Sequence, residues 1–299
     1  MTGLTLLLTD EATREEWLEA RKLGSSDAAA ICGLNPYRTK HQVFLEKIGA
    51  AAPVEENEAM RWGNLLEPVI AEEFARRTEL PIKKDNRLIQ HPTLPFMTAT
   101  IDYLVEENGQ WGILEIKNRN LFAGADYEDD GAADDAHIQV AHQLACSGLS
   151  FAYVAALIGG NRLVYTRFER DADLIMKVEE LEKSFWRLVE TKTPPELQAG
   201  DNDLLASLYA ESNGLEKAIP AESEDWAKAY LLNKQQAKHF EELADECAAN
   251  LKNALSDYEF ATVGKYRISW KTQTRAEYTV KATSFRKFDV KELKDKKNG

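Results

Sequence analysis

An aspartate at position 102 is followed, thirteen residues on, by Glu115-Ile116-Lys117. Residues i and i+2 of a strand share a face, so Glu115 and Lys117 point the same way in an extended segment. Asn108-Gly109 lies between the two segments and is a strong hairpin signal that folds Asp102 back beside them. Two carboxylates with the Ile116 backbone carbonyl offer hard oxygen ligands, suited to Mg²⁺, with Mn²⁺ as the alternative, and not to a soft metal. A lysine beside such a cation orients or deprotonates an attacking water and stabilises charge at phosphorus. By itself the spacing is weak, because ordinary exposed hairpins carry Glu–Lys faces by chance.

Two further positions strengthen it. Glu67 lies among Leu65, Leu66 and Pro68, and an acid in apolar surroundings needs a partner or a metal-bound water. Gln139 and Gln143 fall four apart on one helix face, where Gln139 could reach a metal's water or a phosphate.

The elements that position these residues follow from local signals. Residues 10–21 read as a helix with Asp10 or Thr13 as cap. Gly24-Ser25-Ser26-Asp27 precedes a short helix over 28–31, since Ser and Asp accept orphan N–H bonds at a helix start. Residues 40–48 form another helix, closed by Gly49. Apolar residues at 62, 65, 66, 69, 70 and 74 make 57–78 helical, with Trp62 and Phe74 in the core and a kink or break at Pro68. The stretches 81–82 and 86–89 suggest an edge strand, and 96–105 and 112–117 two strands.

The segment 121–136 holds six acids and no base and reads as a loop. Residues 137–147 return as a helix, with His137 and His142 as polar helix residues rather than ligands. Strands over 151–158 and 162–169 are joined by Gly159-Gly160-Asn161, and a helix covers 172–191. Thr193-Pro194-Pro195 marks a boundary. Beyond it, 203–213 and 222–257 are helical, and 259–270 and 278–281 are β-prone. This gives helices around an antiparallel sheet core over 1–195, then a helical arm and a basic β segment over 196–299.

Composition sets the frame. The chain has 299 residues, 44% of them hydrophobic and 29% charged, an ordinary globular balance. No run approaches a membrane span. Cys32, Cys146 and Cys247 form no metal or disulfide pattern, which points to a reducing cytoplasm. The net charge of −13 argues against whole-surface DNA binding, though not against a local basic channel. The charge is uneven: residues 262–299 carry eleven Lys/Arg against four acids, a balance of +7 against −20 for the rest. That asymmetry suggests a tail that meets an anion or an acidic partner.

Six separate motifs, in order, carry a resemblance. They are Arg21-x-x-Gly24-Ser25-Ser26-Asp27, Gly33-Leu34-Asn35-Pro36-Tyr37, Arg61-Trp62-Gly63-x-x-x-Glu67-Pro68, His91-Pro92 with Thr100-x-Asp102, Leu114-Glu115-Ile116-Lys117, and Gln139-Val140-x-His142-Gln143-Leu144. Together, over about residues 14–190, the chain resembles the YqaJ-type viral recombinase family. This is the phage lambda exonuclease-like branch of the PD-(D/E)xK nucleases.

The resemblance implies an α/β (α+β) fold of restriction-endonuclease type, a central mixed sheet flanked by helices. It implies digestion of linear double-stranded DNA from 5′ ends, leaving 3′ overhangs for a RecT/Beta-type single-strand annealing protein, by a ring trimer. By resemblance, Asp102, Glu115 and the Ile116 carbonyl hold the metals, Glu67 completes that site, Lys117 activates water and Gln139 lies near the active centre. Arg21, Ser26 and Thr100 bind the terminal 5′-phosphate, where arginine makes a bidentate contact. The chain departs from the family at Asn118, where a small hydroxyl or thiol residue is usual, and in its extension past 195. An endonuclease on the same core, and a noncatalytic DNA-binding or phage accessory module, are the competing readings. The intact Asp102/Glu115/Lys117 set speaks against the last.

Overall fold

The computed structural model describes residues 5–9, 13–51, 57–85, 87–122, 127, 132–275, 282 and 284–291. The β-prone stretch 278–281 and half of the acidic loop 121–136 lie outside them. Contacts divide the chain into two units, Met1–Leu208 and Tyr209–Gly299.

The first unit opens with β1 (Thr5–Leu8), α1 (Arg14–Ala20), α2 (Ser25–Ile31), α3 (Lys40–Lys47) and α4 (Glu58–Thr78). Thr13 caps α1, exchanging hydrogen bonds with Glu16 in a capping box, and Asp10 lies outside the described residues. Strands β2 (Ile82–Lys84), β3 (Leu88–Gln90), β4 (Thr98–Thr100), β5 (Tyr103–Glu107) and β6 (Gln110–Arg119) follow. Then come α5 (Asp134–Ser147), β7 (Phe151–Ile158), β8 (Arg162–Glu169), α6 (Ala172–Thr191) and α7 (Asp201–Leu208). The helix α7 belongs to this unit, past the prolines at 194–195. Its buried Asp201 accepts a hydrogen bond from Thr39 at the start of α3.

Two sheets carry the unit. One is antiparallel, in the order β1-β3-β4, and the other has the order β2-β5-β6-β7-β8. The latter is mixed, because β6 runs parallel to β7. The antiparallel core read from local patterns is therefore corrected at this one pair: the chain leaves β6, crosses through α5 and returns alongside. Buried on both faces, β7 reads as a nearly continuous apolar run (Phe-Ala-Tyr-Val-Ala-Ala-Leu-Ile). The edge strand β2 is short and carries Lys83 and Lys84, which discourages further pairing.

The segment read as one strand over 96–105 breaks at Ile101-Asp102, and its halves join different sheets. Alternation sorts β6 onto two cores. Ile113 packs with Val140, Ala141 and Leu144 of α5, whereas Leu114 and Ile116 pack with Ile70, Ala71 and Phe74 of α4. A third cluster joins Ala30 and Ile31 of α2 to Val43 and Phe44 of α3 and to Phe185 and Val189 of α6. Residues 58–78 form a single helix that runs through Pro68. Trp62 is 50% exposed, not in the core, and its Nε1 donates to Glu58 on the same surface.

The second unit holds α8 (Ser223–Leu255) and a hairpin of β9 (Phe260–Val263) and β10 (Tyr266–Ser269). Gly264, at φ 56°, turns that hairpin.

Candidate active site

Tyr103 pairs with Leu114 across β5 and β6, so one more step of the ladder sets Asp102 opposite Glu115. Asp102 sits just before β5, where the chain leaves one sheet for the other, and its Oδ2 accepts the Ile116 N–H at 2.9 Å. Burial is the largest influence on its carboxyl and pushes the pKa well above the usual range. The neighbouring charges of Glu115 and Glu67 push the same way, against the Ile116 N–H and Lys117.

Glu115 is 2% exposed and its carboxylate is fully engaged. Oε1 accepts from Lys117 Nζ and from Gln139 Nε2, each at 2.6 Å, and Oε2 accepts from Gln143 Nε2 at 2.7 Å. Lys117 Nζ also donates to Gln139 Oε1 at 2.6 Å. The ammonium is thereby fixed between a carboxylate from its own strand and an amide from α5 (charge-assisted bonds of this kind are the strong ones). Gln143 Nε2 reaches the Thr100 carbonyl at 3.1 Å as well. The partner missed from sequence was Gln143: its i+4 spacing from Gln139 placed both on one face, but only the structure shows both amides on Glu115.

Glu67 makes no direct hydrogen bond to this cluster, although its charge reaches Asp102. It stands on α4, which packs on the other face of β6, and pairs with Lys84 at 3.4 Å. No group of three His, Cys, Asp or Glu side chains among the described residues closes on a common point. The donor chemistry nevertheless fits a hard divalent cation. Buried carboxylates repel each other at Asp102, and Gln143 Oε1 is buried without a hydrogen-bond partner.

The other predicted residues lie along the route from α2 to β4. Arg21 Nη2 donates to Ser26 Oγ at 2.7 Å, and the guanidinium lies 4.9 Å from the centre of the Trp17 ring. Its space depends on Gly24, since a Cβ there would come within 2.4 Å of Arg21 Nε and Nη2. A backbone strap ties this turn to the sheet: Leu23 N–H donates to the Phe96 carbonyl at 2.8 Å and Thr98 N–H to the Leu23 carbonyl at 2.7 Å. Thr98 Oγ1 donates to the same carbonyl at 3.1 Å. Thr100 is two residues farther along the strand and Asp102 four. The side chains of Arg21 and Ser26 are thus joined to each other, and to the acidic centre through main chain.

Two buried ionic groups brace this arrangement. Asp27 accepts from the Gly24 N–H at 3.0 Å and pairs with Lys47 at 2.7 Å and with Arg38. Burial is the largest influence on its carboxyl and pushes it up, but Lys47, Arg38 and Arg21 together hold it far below the usual range. His142 is completely buried rather than at a polar helix surface. Its Nδ1 meets Glu182 Oε1 of α6 at 2.8 Å, and its Nε2 meets the Thr98 carbonyl at 2.9 Å. The Glu182 carboxylate keeps the imidazole proton to a pH well above the ordinary value, overcoming the opposing effect of burial. His137, by contrast, stacks on Phe168 with ring centres 4.4 Å apart.

The chain matches known proteins in three ways. The family model of the YqaJ-like viral recombinase domain covers residues 16–150. A Bacillus subtilis (strain 168) protein called "uncharacterized protein YqaJ" is 32% identical over 314 residues, spanning 96% of this chain and 97% of that one. The crystal structure of an alkaline exonuclease from Laribacter hongkongensis superposes with a TM-score of 0.51 at 26% identity, over 60% of this chain and 93% of its own. The same exonuclease in complex with dAMP gives a TM-score of 0.50 at 24% identity over the same shares, a likeness of fold.

Proposed function

Because this chain belongs to the YqaJ-like viral recombinase family, we propose that the cluster on β6 and α5 hydrolyses phosphodiester bonds of linear double-stranded DNA. The strand degraded runs from its 5′ end. The observation that carries this reading is Lys117 Nζ held at 2.6 Å by both Gln139 and Glu115, the residue that stands opposite Asp102 across the ladder. Likeness to an alkaline exonuclease supports the nuclease class.

Asp102, Glu115 and the Ile116 carbonyl would hold a divalent cation, Mg²⁺ by its preference for oxygen ligands, with Glu67 adding negative charge from α4. When bound, such a cation lowers the pKa of a coordinated water and stabilises charge at phosphorus. The chain's own groups do the rest. The Lys117 ammonium donates a hydrogen bond that orients the attacking water and stabilises charge at phosphorus, Gln139 keeps it from swinging away, and the water's proton leaves to bulk solvent. Gln143 locks Glu115 to the Thr100 backbone. Arg21 and Ser26 grip the terminal 5′-phosphate, with Thr100 between that grip and Asp102. The grip makes the enzyme start at an end, which is what favours an exonuclease over an endonuclease on the same core.

The product is a 3′ single-stranded overhang, the substrate of a RecT/Beta-type annealing protein in homologous recombination. We propose a homo-oligomer, a trimer by family analogy, working in the cytoplasm. Among the described residues no helix is long and apolar enough to cross a membrane.

A time course on linear duplex DNA with Mg²⁺, comparing 5′-phosphorylated ends, 5′-hydroxyl ends and a covalently closed circle, tests the reading. Loss of the phosphorylated strand from its 5′ end, with the circle intact, is the expected result. Cutting of the circle identifies an endonuclease instead. No cutting with Mg²⁺ or Mn²⁺ leaves a noncatalytic module.

A further inference from the structure

The basic C-terminal segment has no part in the chemistry above, yet residues 260–275 have a distinctive surface. Residues 260–275 carry Lys265, Arg267, Lys271 and Arg275 and no acid, in a chain of net charge −13. Aromatic rings are interleaved with those cations and exposed: Phe260 is 42%, Tyr266 63% and Trp270 52% accessible. Burying such rings is the ordinary outcome of folding; here the hairpin displays them.

The register explains the display. Phe260 pairs with Ser269 and Thr262 with Arg267, so Phe260, Thr262, Arg267 and Ser269 share one face of the hairpin. Ala261, Val263, Tyr266 and Ile268 alternate to the other face, where Ala261 and Ile268 are the less exposed positions and Val263 and Tyr266 stand exposed. On the first face Phe260 is bracketed by Arg267, 4.7 Å from the ring centre, and Lys271, 4.4 Å from it. Lys265 lies 5.5 Å from the Tyr266 ring and Lys252 of α8 lies 5.9 Å from that of Trp270. Phe260, Tyr266 and Trp270 therefore each have a cation beside them.

We infer that the β9–β10 hairpin binds single-stranded DNA, with Arg267, Lys271 and Lys265 against phosphates and Tyr266, Phe260 and Trp270 as stacking platforms for bases. A protein partner would ask for a contiguous apolar patch. A ligand that alternates anionic phosphates with flat π faces matches cation and ring side by side, and needs no base-specific contact. A duplex keeps its bases stacked inside and leaves the rings without a partner, so the single strand is preferred. The identity of that strand, the overhang left by strand degradation, rests on the proposed nuclease reading; the hairpin's affinity does not.

The test uses the full chain with a chelator present, so that nothing is cut, and fluorescence anisotropy of a labelled oligothymidylate. An abasic oligonucleotide of equal length serves as a probe with the same charge and no bases. The oligothymidylate should bind at least about fivefold more tightly than the abasic probe, since each stacked base contributes about 1–3 kcal/mol. The double variant Arg267→Ala/Lys271→Ala should lose about tenfold in affinity and flatten the salt dependence by about 1.4 in log–log slope, at about 0.7 per phosphate contact. Tyr266→Ala should bring oligothymidylate affinity down towards that of the abasic probe without changing the salt slope. These are exposed positions, and an unchanged circular-dichroism spectrum and melting curve confirm that each variant folds.

Equal affinity of the variants and the parent for oligothymidylate overturns the inference. So does equal binding of the two probes by the parent, or loss of an annealing protein's binding with oligothymidylate affinity unchanged. A chain that cuts no DNA but binds oligothymidylate through this hairpin refutes the nuclease reading alone. A nuclease whose hairpin variants bind normally refutes this one alone.

Discussion

His142→Leu should destabilise the first unit far more than Glu182→Leu, although both remove the same contact. Both side chains are fully buried, and Glu182 Oε2 already has no hydrogen-bond partner. Without His142, Glu182 becomes a lone buried carboxylate, an error that costs about 3–5 kcal/mol. The Thr98 carbonyl also loses its donor, at about 1 kcal/mol. Without Glu182, in contrast, the imidazole can shed its proton and still donate to Thr98 from Nε2, so the cost should be about 1–2 kcal/mol. The double variant removes the buried charge altogether and should lie within about 2 kcal/mol of the parent, because apolar replacement of a buried pair is often neutral.

Urea denaturation of the four proteins at one pH closes the cycle and isolates the coupling. The pH dependence has a definite sign. His142 has a raised folded pKa, so its stabilising contribution is complete below the ordinary imidazole value and is lost as pH rises through the folded value. The buried Glu182 carboxyl is itself raised, chiefly by desolvation, so an alkaline pH that neutralises His142 also exposes the cost of the anion. The parent's advantage over the double variant should therefore shrink at alkaline pH. Equal costs for the two single variants, or an advantage that grows with pH, would refute the reasoning. Because Nε2 holds the strand leading to Thr100 and Asp102, the same His142→Leu protein should also lose cleavage rate at temperatures where it is still folded.

Three more predictions concern the site. Glu115→Gln removes the charge and puts an amide N–H₂ in place of one acceptor oxygen, against either the Lys117–Gln139 pair or Gln143, and should cut the cleavage rate by about 10²-fold or more, measured in the linear-duplex assay. Gly24→Ala pushes a methyl into the Arg21 guanidinium, a flexible group that can move away. The fold should survive by circular dichroism, while the preference for 5′-phosphorylated over 5′-hydroxyl ends disappears. Asp27→Ala leaves Arg38 and Lys47 without their buried partner and should cost about 3 kcal/mol in urea denaturation at neutral pH. Because the folded Asp27 pKa is depressed, that difference should fade as pH drops through and below the ordinary carboxylate range.

Much of the local architecture was legible. Gly159-Gly160-Asn161 and Asn108-Gly109 announced two hairpins that the structure contains, and the helix over 172–191 appears with the bounds its pattern implied. The period of two placed Glu115 and Lys117 on one face without any knowledge of the fold. Local signals failed where the answer lay far away in the chain. The extended pattern over 96–105 is continuous, and only pairing with two different sheets breaks it at Ile101-Asp102. Trp62 fits the apolar stripe of its helix, yet none of the described elements buries it.

The sequence by itself determined which residues could act and which of them share an element, because strand and helix periods are properties of the local backbone. Tertiary structure decided what each face meets. The parallel return of β7 beside β6 carries α5 across the sheet, so Gln139 and Gln143 land on Glu115, while α4 packs on the other face of β6 and its Glu67 pairs with Lys84. His142 and Glu182, forty positions apart, are a pair only because α5 and α6 pack together beneath β4. Periodicity says which side of an element is apolar; choosing its neighbour depends on long-range strand pairing and close packing, and no window of sequence contains either.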